Sequence, residues 1–168
     1  MKQWLASVLG CVWLVNSAWC ADALTTTPEQ NKAIAIGFLT TLYNQHQPRE
    51  AFERYASPRF HHHAQWSGPG TPEDIVKHNI DSMTQMAEKF PQQKLEIKQV
   101  VAEGDLVFVH SFYSGGPGAG ETITNAKKGN QAAAKTGEQV VDIMRIENGK
   151  IAEHWEVSQP TTDLGDVF

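Results

Sequence analysis

The spacing of hydrophobic residues changes about halfway along the chain. In the first half, apolar side chains recur with the spacing of helices that pack on one side. Thr27 and Gln30 form a predicted capping box at the start of a first helix, and Pro28 suits its first turn. A second helix is predicted over Pro48–Tyr55 and a third over Thr71–Phe90.

Beyond the third helix, apolar residues alternate with polar ones, which is typical of strands. Asn148-Gly149 lies between two such runs and predicts a tight hairpin turn, because this pair favours the left-handed backbone that the turn requires. A further short strand is predicted at Phe60–His63. Helices followed by antiparallel strands indicate an α+β fold. The other predicted strands lie around Leu95–Gln99 and over Leu106–Tyr113, Gln139–Glu147 and Lys150–Ser158.

The segment Gly115–Gly137 separates two of these strands and has no strong apolar period. It is rich in glycine, alanine, lysine and asparagine, so it has little to bury. We expect a long mobile loop that projects from one end of the sheet. Shortening it should leave the core folded.

One alternation class of the predicted sheet combines ionisable groups with large apolar ones. Its members are Asp142, His154, Glu156, His110, Met144, Phe108 and Phe112. Such groups cost free energy on a half-buried sheet unless they are paired. They are either a satisfied polar cluster at solvated strand ends, or the lining of a pocket in which burial raises the pKa of a carboxylate and makes it a useful base. Several such residues on adjacent strands favour the pocket.

The opposite alternation class is apolar. Its predicted members are Val141, Ile143, Trp155, Val157, Val107 and Val109. An apolar sheet face of this size is costly to leave in water, so the pattern predicts a homodimer unless a helix or the long loop covers the face.

Three adjacent histidines stand in the stretch FHHHAQW. In a strand, His61 and His63 share one face and His62 takes the other, so all three cannot bind one metal ion. A zinc site would need His110 or His154 as a further ligand. We expect one member of the run to join the pocket, and we expect neither a metal ion nor a cofactor.

The start of the chain has the layout of a secretory signal peptide. Lys2 precedes an apolar run that is short for a spanning helix, which needs about 20 residues, and small residues follow. We expect a signal peptide over residues 1–23, one domain over 24–168, and export to the periplasm or the cell exterior. An uncleaved N-terminal anchor is the alternative.

Cysteine usage and charge exclude several classes of function. Both cysteines, Cys11 and Cys20, lie in the leader, so the mature chain would have no disulfide, no thiolate metal site and no cysteine nucleophile. The formal net charge is −5 and no basic patch stands out, which argues against binding to nucleic acid.

Three segments carry a resemblance to a known family: Val140–Pro160, Val100–His110 and, more loosely, Arg54–Gln65. They resemble the SnoaL-like polyketide cyclase branch of the nuclear transport factor 2-like superfamily. The resemblance implies a cone-shaped α+β barrel, in which a curved antiparallel sheet wraps around N-terminal helices and encloses one pocket. It also implies that dimers form frequently through the outer sheet face.

The same resemblance assigns roles to particular residues. In the family's cyclases an acidic residue of the last strand is the general acid/base for an intramolecular aldol closure, and this position corresponds to Glu156. The pocket histidine before it corresponds to His154, and the pocket position in the preceding strand to Asp142. The family's histidine after the second helix corresponds to His63. The family usually has aspartate where this chain has Glu156.

These inferences together predict a cofactor-free lyase or isomerase that acts on a small hydrophobic or carbonyl-containing molecule. Glu156 or Asp142 would remove a proton next to a carbonyl, and His154 or His110 would stabilise the enolate oxygen. The alternative is a non-catalytic exported binder of a small hydrophobic ligand. The predicted catalytic residues are Glu156, Asp142 and His154, and the predicted substrate-binding residues are His63, His110, Phe108, Phe112 and Met144.

Overall fold

The computed structural model describes residues 25–63, 70–117 and 137–161. The predicted signal peptide and most of the predicted Gly115–Gly137 loop lie outside the described residues, so both stay predictions. Within the described ranges, no helix is both long enough and apolar enough to cross a membrane.

Helices form where the capping signals and the helical spacing predict them. The three α-helices are α1 (Pro28–Leu39), α2 (Pro48–Tyr55) and α3 (Pro72–Lys89). Thr27 and Gln30 form the predicted capping box of α1, and Thr71 forms an equivalent box with Asp74 at α3. These side chains satisfy backbone groups that have no partner within the helix.

Helix α1 continues beyond Leu39 as a π-helical turn over Thr40–Asn44. The backbone N–H of Gln45 donates to the carbonyl of Thr40 over 3.1 Å, which is the wider ring of a π-helix. This turn changes the direction of the side chains that follow it, and it carries Tyr43. The hydrophobic spacing along the chain does not indicate this π-helical turn.

The strands form one curled sheet that does not close into a barrel. They are β1 (Ala56–His62), β2 (Lys94–Glu103), β3 (Leu106–Ser114), β4 (Gly137–Glu147) and β5 (Lys150–Thr161). The order across the sheet is β1-β5-β4-β3-β2. Strand β1 pairs parallel with β5 and the other neighbours pair antiparallel, so the sheet is mixed.

The turn between β4 and β5 is the hairpin that the sequence predicts. Asn148 and Gly149 have φ angles of 53° and 72°, the left-handed conformation that a type I′ turn needs at both central residues. The turn starts the pairing with Glu147 opposite Lys150, and a one-residue β-bulge between Ile151 and Glu153 then shifts the register. Asp142 therefore pairs with Glu156, and Met144 pairs with His154.

The helices pack on one face of the sheet, which is called the inner face below. Phe38 of α1, Phe52 of α2 and Phe60 of β1 pack edge to face, with ring centroids 5.2 and 5.4 Å apart. Edge-to-face contacts use the favourable alignment of aromatic quadrupoles and join the three elements. The inner-face core also includes Val107, Val109, Val140, Met144 and Ile151.

The register between β3 and β4 overturns part of the predicted face assignment. Val109 pairs with Asp142 and Val107 pairs with Met144, so both valines lie on the inner face and not on the predicted outer face. Both alternation classes of β3 are largely apolar, so its own pattern could not distinguish the two faces. The outer face carries Phe108, His110, Phe112, Val141, Ile143, Trp155 and Val157.

Candidate functional site

The inner face of the β4–β5 hairpin carries a buried pair of a carboxylate and an imidazole. His154 Nε2 lies 2.9 Å from Asp142 Oδ1, and the two residues are 5% and 0% exposed. A buried carboxylate orients the imidazole ring and sets which of its nitrogens carries a proton. The other carboxylate oxygen, Asp142 Oδ2, has no hydrogen-bond partner among the described residues. Asp142 Oδ2 can therefore accept a hydrogen bond from a further polar group.

Glu156 lies directly across from Asp142 in the hairpin. Burial raises the pKa of Glu156, the charge of Asp142 raises it further, and His154 opposes the shift. Taken as a whole the residue is exposed, but a carboxylate oxygen lies within 4.8 Å of the ligating nitrogens of His62 and His154. The carboxylate thus faces the interior, and this explains the raised pKa. Asp142, His154 and Glu156 lie together as predicted, while their catalytic roles stay predictions.

The histidine that joins this group is His62, so the predictions that His63 would join it and that His62 would point away are wrong. His62 pairs with His154 across the parallel strands, and the two rings meet at 87° with centroids 4.5 Å apart. Phe60 is buried in the core, and the alternation of β1 then places His62 on the same face. Burial, followed by the neighbouring His154, lowers the pKa of His62 to about 3, so its imidazole is neutral at neutral pH.

His63 lies on the outer face instead. Its ring stacks on Trp155, with centroids 4.3 Å apart and planes 6° from parallel. Its Nε2 lies 2.8 Å from Glu153 Oε2, and Arg145 also binds Glu153. The bonds from His63 and Arg145 lower the pKa of the Glu153 carboxyl. His63 therefore belongs to an exposed polar network rather than to the interior.

Three more predicted binding residues also lie away from the inner group. His110 Nε2 lies 2.8 Å from Gln139 Oε1 on the outer face, and Phe108 and Phe112 lie on that face with it. The prediction that they line the pocket is wrong, because the β3–β4 register sets their direction. Met144 lies on the inner face beside His154 but is fully buried in the core.

A small internal cavity of about 40 Å³ opens beside the inner group. Its lining is mainly apolar and comes from all three helices, the π-helical turn, β1 and β5: Phe38, Leu39, Leu42, Tyr43, Phe52, Phe60, His62, Asn79, Met83, His154 and Glu156. Sites for drug-sized ligands measure roughly 300–1,000 Å³. The cavity therefore has room for a few small atoms or water molecules, and a larger ligand needs the surrounding side chains to move.

Two tyrosines near the carboxylates were missed by the sequence analysis. Tyr43 and Tyr113 meet edge to face with centroids 4.6 Å apart. Burial raises the pKa of both, and the next cause is Asp142 for Tyr43 and Tyr43 for Tyr113. The hydroxyl of Tyr113 is close enough to influence the pKa of Tyr43, but it makes no hydrogen bond of normal geometry with a described residue. Both hydroxyls stay protonated at neutral pH and can donate hydrogen bonds.

Helix α3 contributes two further residues to the site, and their helical spacing is visible in the sequence. Asn79 and Met83 share one side of α3 at helical spacing, and both line the cavity. The amide of Asn79 donates to the carbonyl of Ile75 over 2.8 Å, so one of its protons is already bound. Tyr43 had no comparable signal, because the π-helical turn sets its direction.

Comparison with known proteins identifies the family. Residues 33–164 match the family of the SnoaL-like polyketide cyclase. The chain belongs to this family. No curated protein matches the SnoaL-like chain at a significant level.

Solved structures share the fold of this SnoaL-like chain at low sequence identity. TsrD from Streptomyces laurentii is 20% identical, with a TM-score of 0.58 over 80% of this chain and 91% of its own. IdmH from Streptomyces antibioticus, a candidate polyketide cyclase, is 20% identical, with a TM-score of 0.53 over 77% and 92%. A candidate ketosteroid isomerase from Kribbella flavida is 13% identical, with a TM-score of 0.51 over 82% and 84%. These likenesses confirm the cone-like α+β fold of the superfamily.

Proposed function

We propose that this SnoaL-like protein is an exported, cofactor-free lyase or isomerase that moves a proton next to a carbonyl group, as in an aldol-type ring closure. The observation that carries the proposal is the hydrogen bond between His154 and Asp142 in the interior, with the carboxylate of Glu156 facing the same group. Membership of a family of cyclases and the isomerase among the structural neighbours support the reaction class.

Glu156 is the base in this proposal. Its raised pKa makes it a stronger base than an ordinary glutamate, and it lines the cavity where a small carbonyl compound would enter. Asp142 is more deeply buried, and its bond to His154 fits it for orienting the imidazole rather than for removing the proton.

The negative charge that develops on the substrate oxygen needs a donor. Tyr43 lines the same cavity as Glu156, and its hydroxyl stays protonated because burial raises its pKa. His154 also lines the cavity and is the second group proposed to contact the substrate oxygen. These two groups replace His110, which lies on the other face of the sheet.

The test compares Glu156→Gln with Glu153→Gln in binding and turnover of a panel of small ketones and β-keto compounds. Both glutamates lie on β5, but Glu153 faces outward and binds Arg145 and His63. Loss of an acid–base group typically lowers the rate by about 10²–10⁴-fold. We expect that loss only in Glu156→Gln, with ligand binding retained. Equal turnover in the two variants would rule out Glu156 as the base.

A non-catalytic binder is the second candidate, and the mainly apolar lining of the cavity favours it. Such a protein would bind a small hydrophobic molecule and return it unchanged. Binding without turnover of any compound in the panel, and with equal affinity in Glu156→Gln, would support the binder over the enzyme.

Export and dimerisation belong to the same proposal. The leader pattern supports export, and expression with secretion should yield a mature chain that has lost about the first 20 residues. The outer face supports a homodimer, because Val157 and Phe108 are 64% and 36% exposed there. Sedimentation at micromolar concentration tests the dimer, and a monomer under those conditions would exclude it.

A further inference from the structure

His62, His154 and Glu156 form a group that the acid–base chemistry does not fully use. Each offers one ligating atom, and these three atoms lie within 4.8 Å of one another. The residues come from the adjacent parallel strands β1 and β5, with His62 directly opposite His154. Ligands on paired strands are held more precisely than ligands on loops, so the group has the rigidity that a metal site needs.

The chemistry of the three donors fits a divalent transition ion. Two imidazole nitrogens and one carboxylate oxygen are a ligand set that zinc uses in catalytic sites, with a fourth position left open. Bonds of about 2.0–2.2 Å to a tetrahedral ion place neighbouring ligand atoms roughly 3.4 Å apart. Ligating atoms at the 4.8 Å limit therefore have to approach one another by about 1.4 Å to reach this spacing.

Asp142 provides the support that histidine ligands usually have. It binds His154 Nε2 over 2.9 Å, which leaves the other ring nitrogen, Nδ1, for an ion. A carboxylate that holds the far nitrogen of a ligating histidine fixes the ring and strengthens the ligand. The charges around the cavity also suit a cation. Among the described residues no lysine or arginine lines the cavity, while two carboxylates lie beside it.

We propose that His62, His154 and Glu156 bind one divalent transition ion, with Zn²⁺ as the best fit, and that this ion inhibits the enzyme. The inhibition rests on the proposed function, because an ion bound to the Glu156 carboxylate takes the lone pair that the base needs. The binding of the ion stands on the geometry alone.

The binding test uses the full chain after removal of metals with a chelator, and Co²⁺ as a spectroscopic probe. Visible absorption of Co²⁺ reports ligation by imidazole and carboxylate. We expect one saturable Co²⁺ equivalent that Zn²⁺ displaces, and a loss of affinity of at least 100-fold in His62→Ala and in Glu156→Gln. Asp142→Asn should weaken binding about 10–100-fold. Circular dichroism and thermal unfolding show that each variant is folded.

The matched control is the double variant His61→Ala/His63→Ala. The rings of these two histidines have centroids 4.3 Å apart, and His63 lies on the outer face, so the pair could collect ions by itself. Unchanged Co²⁺ binding in this control supports the inner site. Binding that disappears in the control but persists in His62→Ala would overturn the proposal, as would a flat Co²⁺ titration of the unaltered protein.

Turnover is measured separately, with stoichiometric Zn²⁺ and then with excess chelator. Inhibition that the chelator reverses supports the second half of the proposal, and unchanged or increased turnover overturns it. Because the Co²⁺ spectrum does not depend on turnover, an inactive protein that still binds Co²⁺ contradicts the proposed enzyme and leaves the metal site in place.

Discussion

The two faces of the sheet carry nearly the same interaction in different surroundings. On the inner face, His154 lies 2.9 Å from Asp142, and on the outer face His63 lies 2.8 Å from Glu153. The inner pair is almost completely buried, whereas the outer side chains are 30% and 27% exposed. Distance alone therefore does not distinguish a candidate site from a surface ion pair.

The groups around each pair account for the difference. The outer carboxylate also binds Arg145, and its histidine stacks on Trp155, so the charges are compensated and partly hydrated. The inner pair faces a second carboxylate, Glu156, and has no arginine or lysine in the described cavity lining. The outer pair is thus satisfied, while the inner group keeps unbalanced charge that can act on a ligand.

The largest expected effect comes from removing each carboxylate in turn. Asp142→Ala leaves a buried imidazole without its acceptor and should lower the free energy of unfolding by about 1–3 kcal/mol. Glu153→Ala removes an exposed pair and should cost about 1 kcal/mol or less. Denaturant unfolding of the two variants measures both values. Equal losses would show that the two faces do not differ in the way the structure indicates.

A smaller effect is expected from charging the outer face. Val157→Asp places a carboxylate on the exposed apolar surface and should raise the dissociation constant of the proposed homodimer at least tenfold, which is about 1.4 kcal/mol. Sedimentation equilibrium measures it, and Ile36→Asp on helix α1, where Ile36 is 37% exposed on the other side of the molecule from the outer face, serves as the control. A similar shift in the control would place the contact elsewhere.

The smallest expected effect is a change of opposite sign in the free energy of unfolding when Glu156 or Glu153 is neutralised. It is measured on metal-free protein. The pKa of Glu156 is raised in the folded state, so its charge opposes folding once the pH rises above the pKa of the unfolded state. The pKa of Glu153 is lowered, so its charge stabilises the fold, and this contribution is lost as the pH falls through its folded pKa. At neutral pH, Glu156→Gln should therefore stabilise the protein and Glu153→Gln should destabilise it.

Thermal unfolding from pH 3 to pH 7 checks both signs. The difference between the two variants should be greatest near neutral pH and should fade where both glutamates are protonated. Shifts of the same sign in both variants would contradict the opposite surroundings of the two carboxylates.

The parts of the site that could be predicted from the sequence are those that a short turn connects. Asn148-Gly149 predicts the β4–β5 hairpin, and alternation within β5 puts His154 and Glu156 on one face. That Asp142 shares this face depends also on a one-residue β-bulge between Ile151 and Glu153, which the turn does not predict. The helices were predictable for a similar reason, because their caps lie within a few residues of the starts that they define.

The predictions that were wrong depend on contacts between segments that are far apart in the sequence. A long connection separates β3 from β4, and both faces of β3 are apolar, so nothing local indicates that Val109 rather than His110 faces Asp142. In β1 the prediction that His62 faces away from its two neighbours is confirmed. Which face enters the site could not be predicted, because it depends on the packing of Phe60 on Phe52. Tyr43 depends on a π-helical turn that has no signature in the hydrophobic pattern.

The parallel pairing of β1 with β5 also has a consequence for the order in which the chain can fold. Strand β1 is synthesised first among the five described strands, yet its strand partner β5 is synthesised last among them. Until β5 arrives, His62 has no His154 opposite it, and the backbone edge of β1 that β5 will cover is open. The candidate site is therefore completed only after β5 has been synthesised, and a chain that ends before β5 lacks the site.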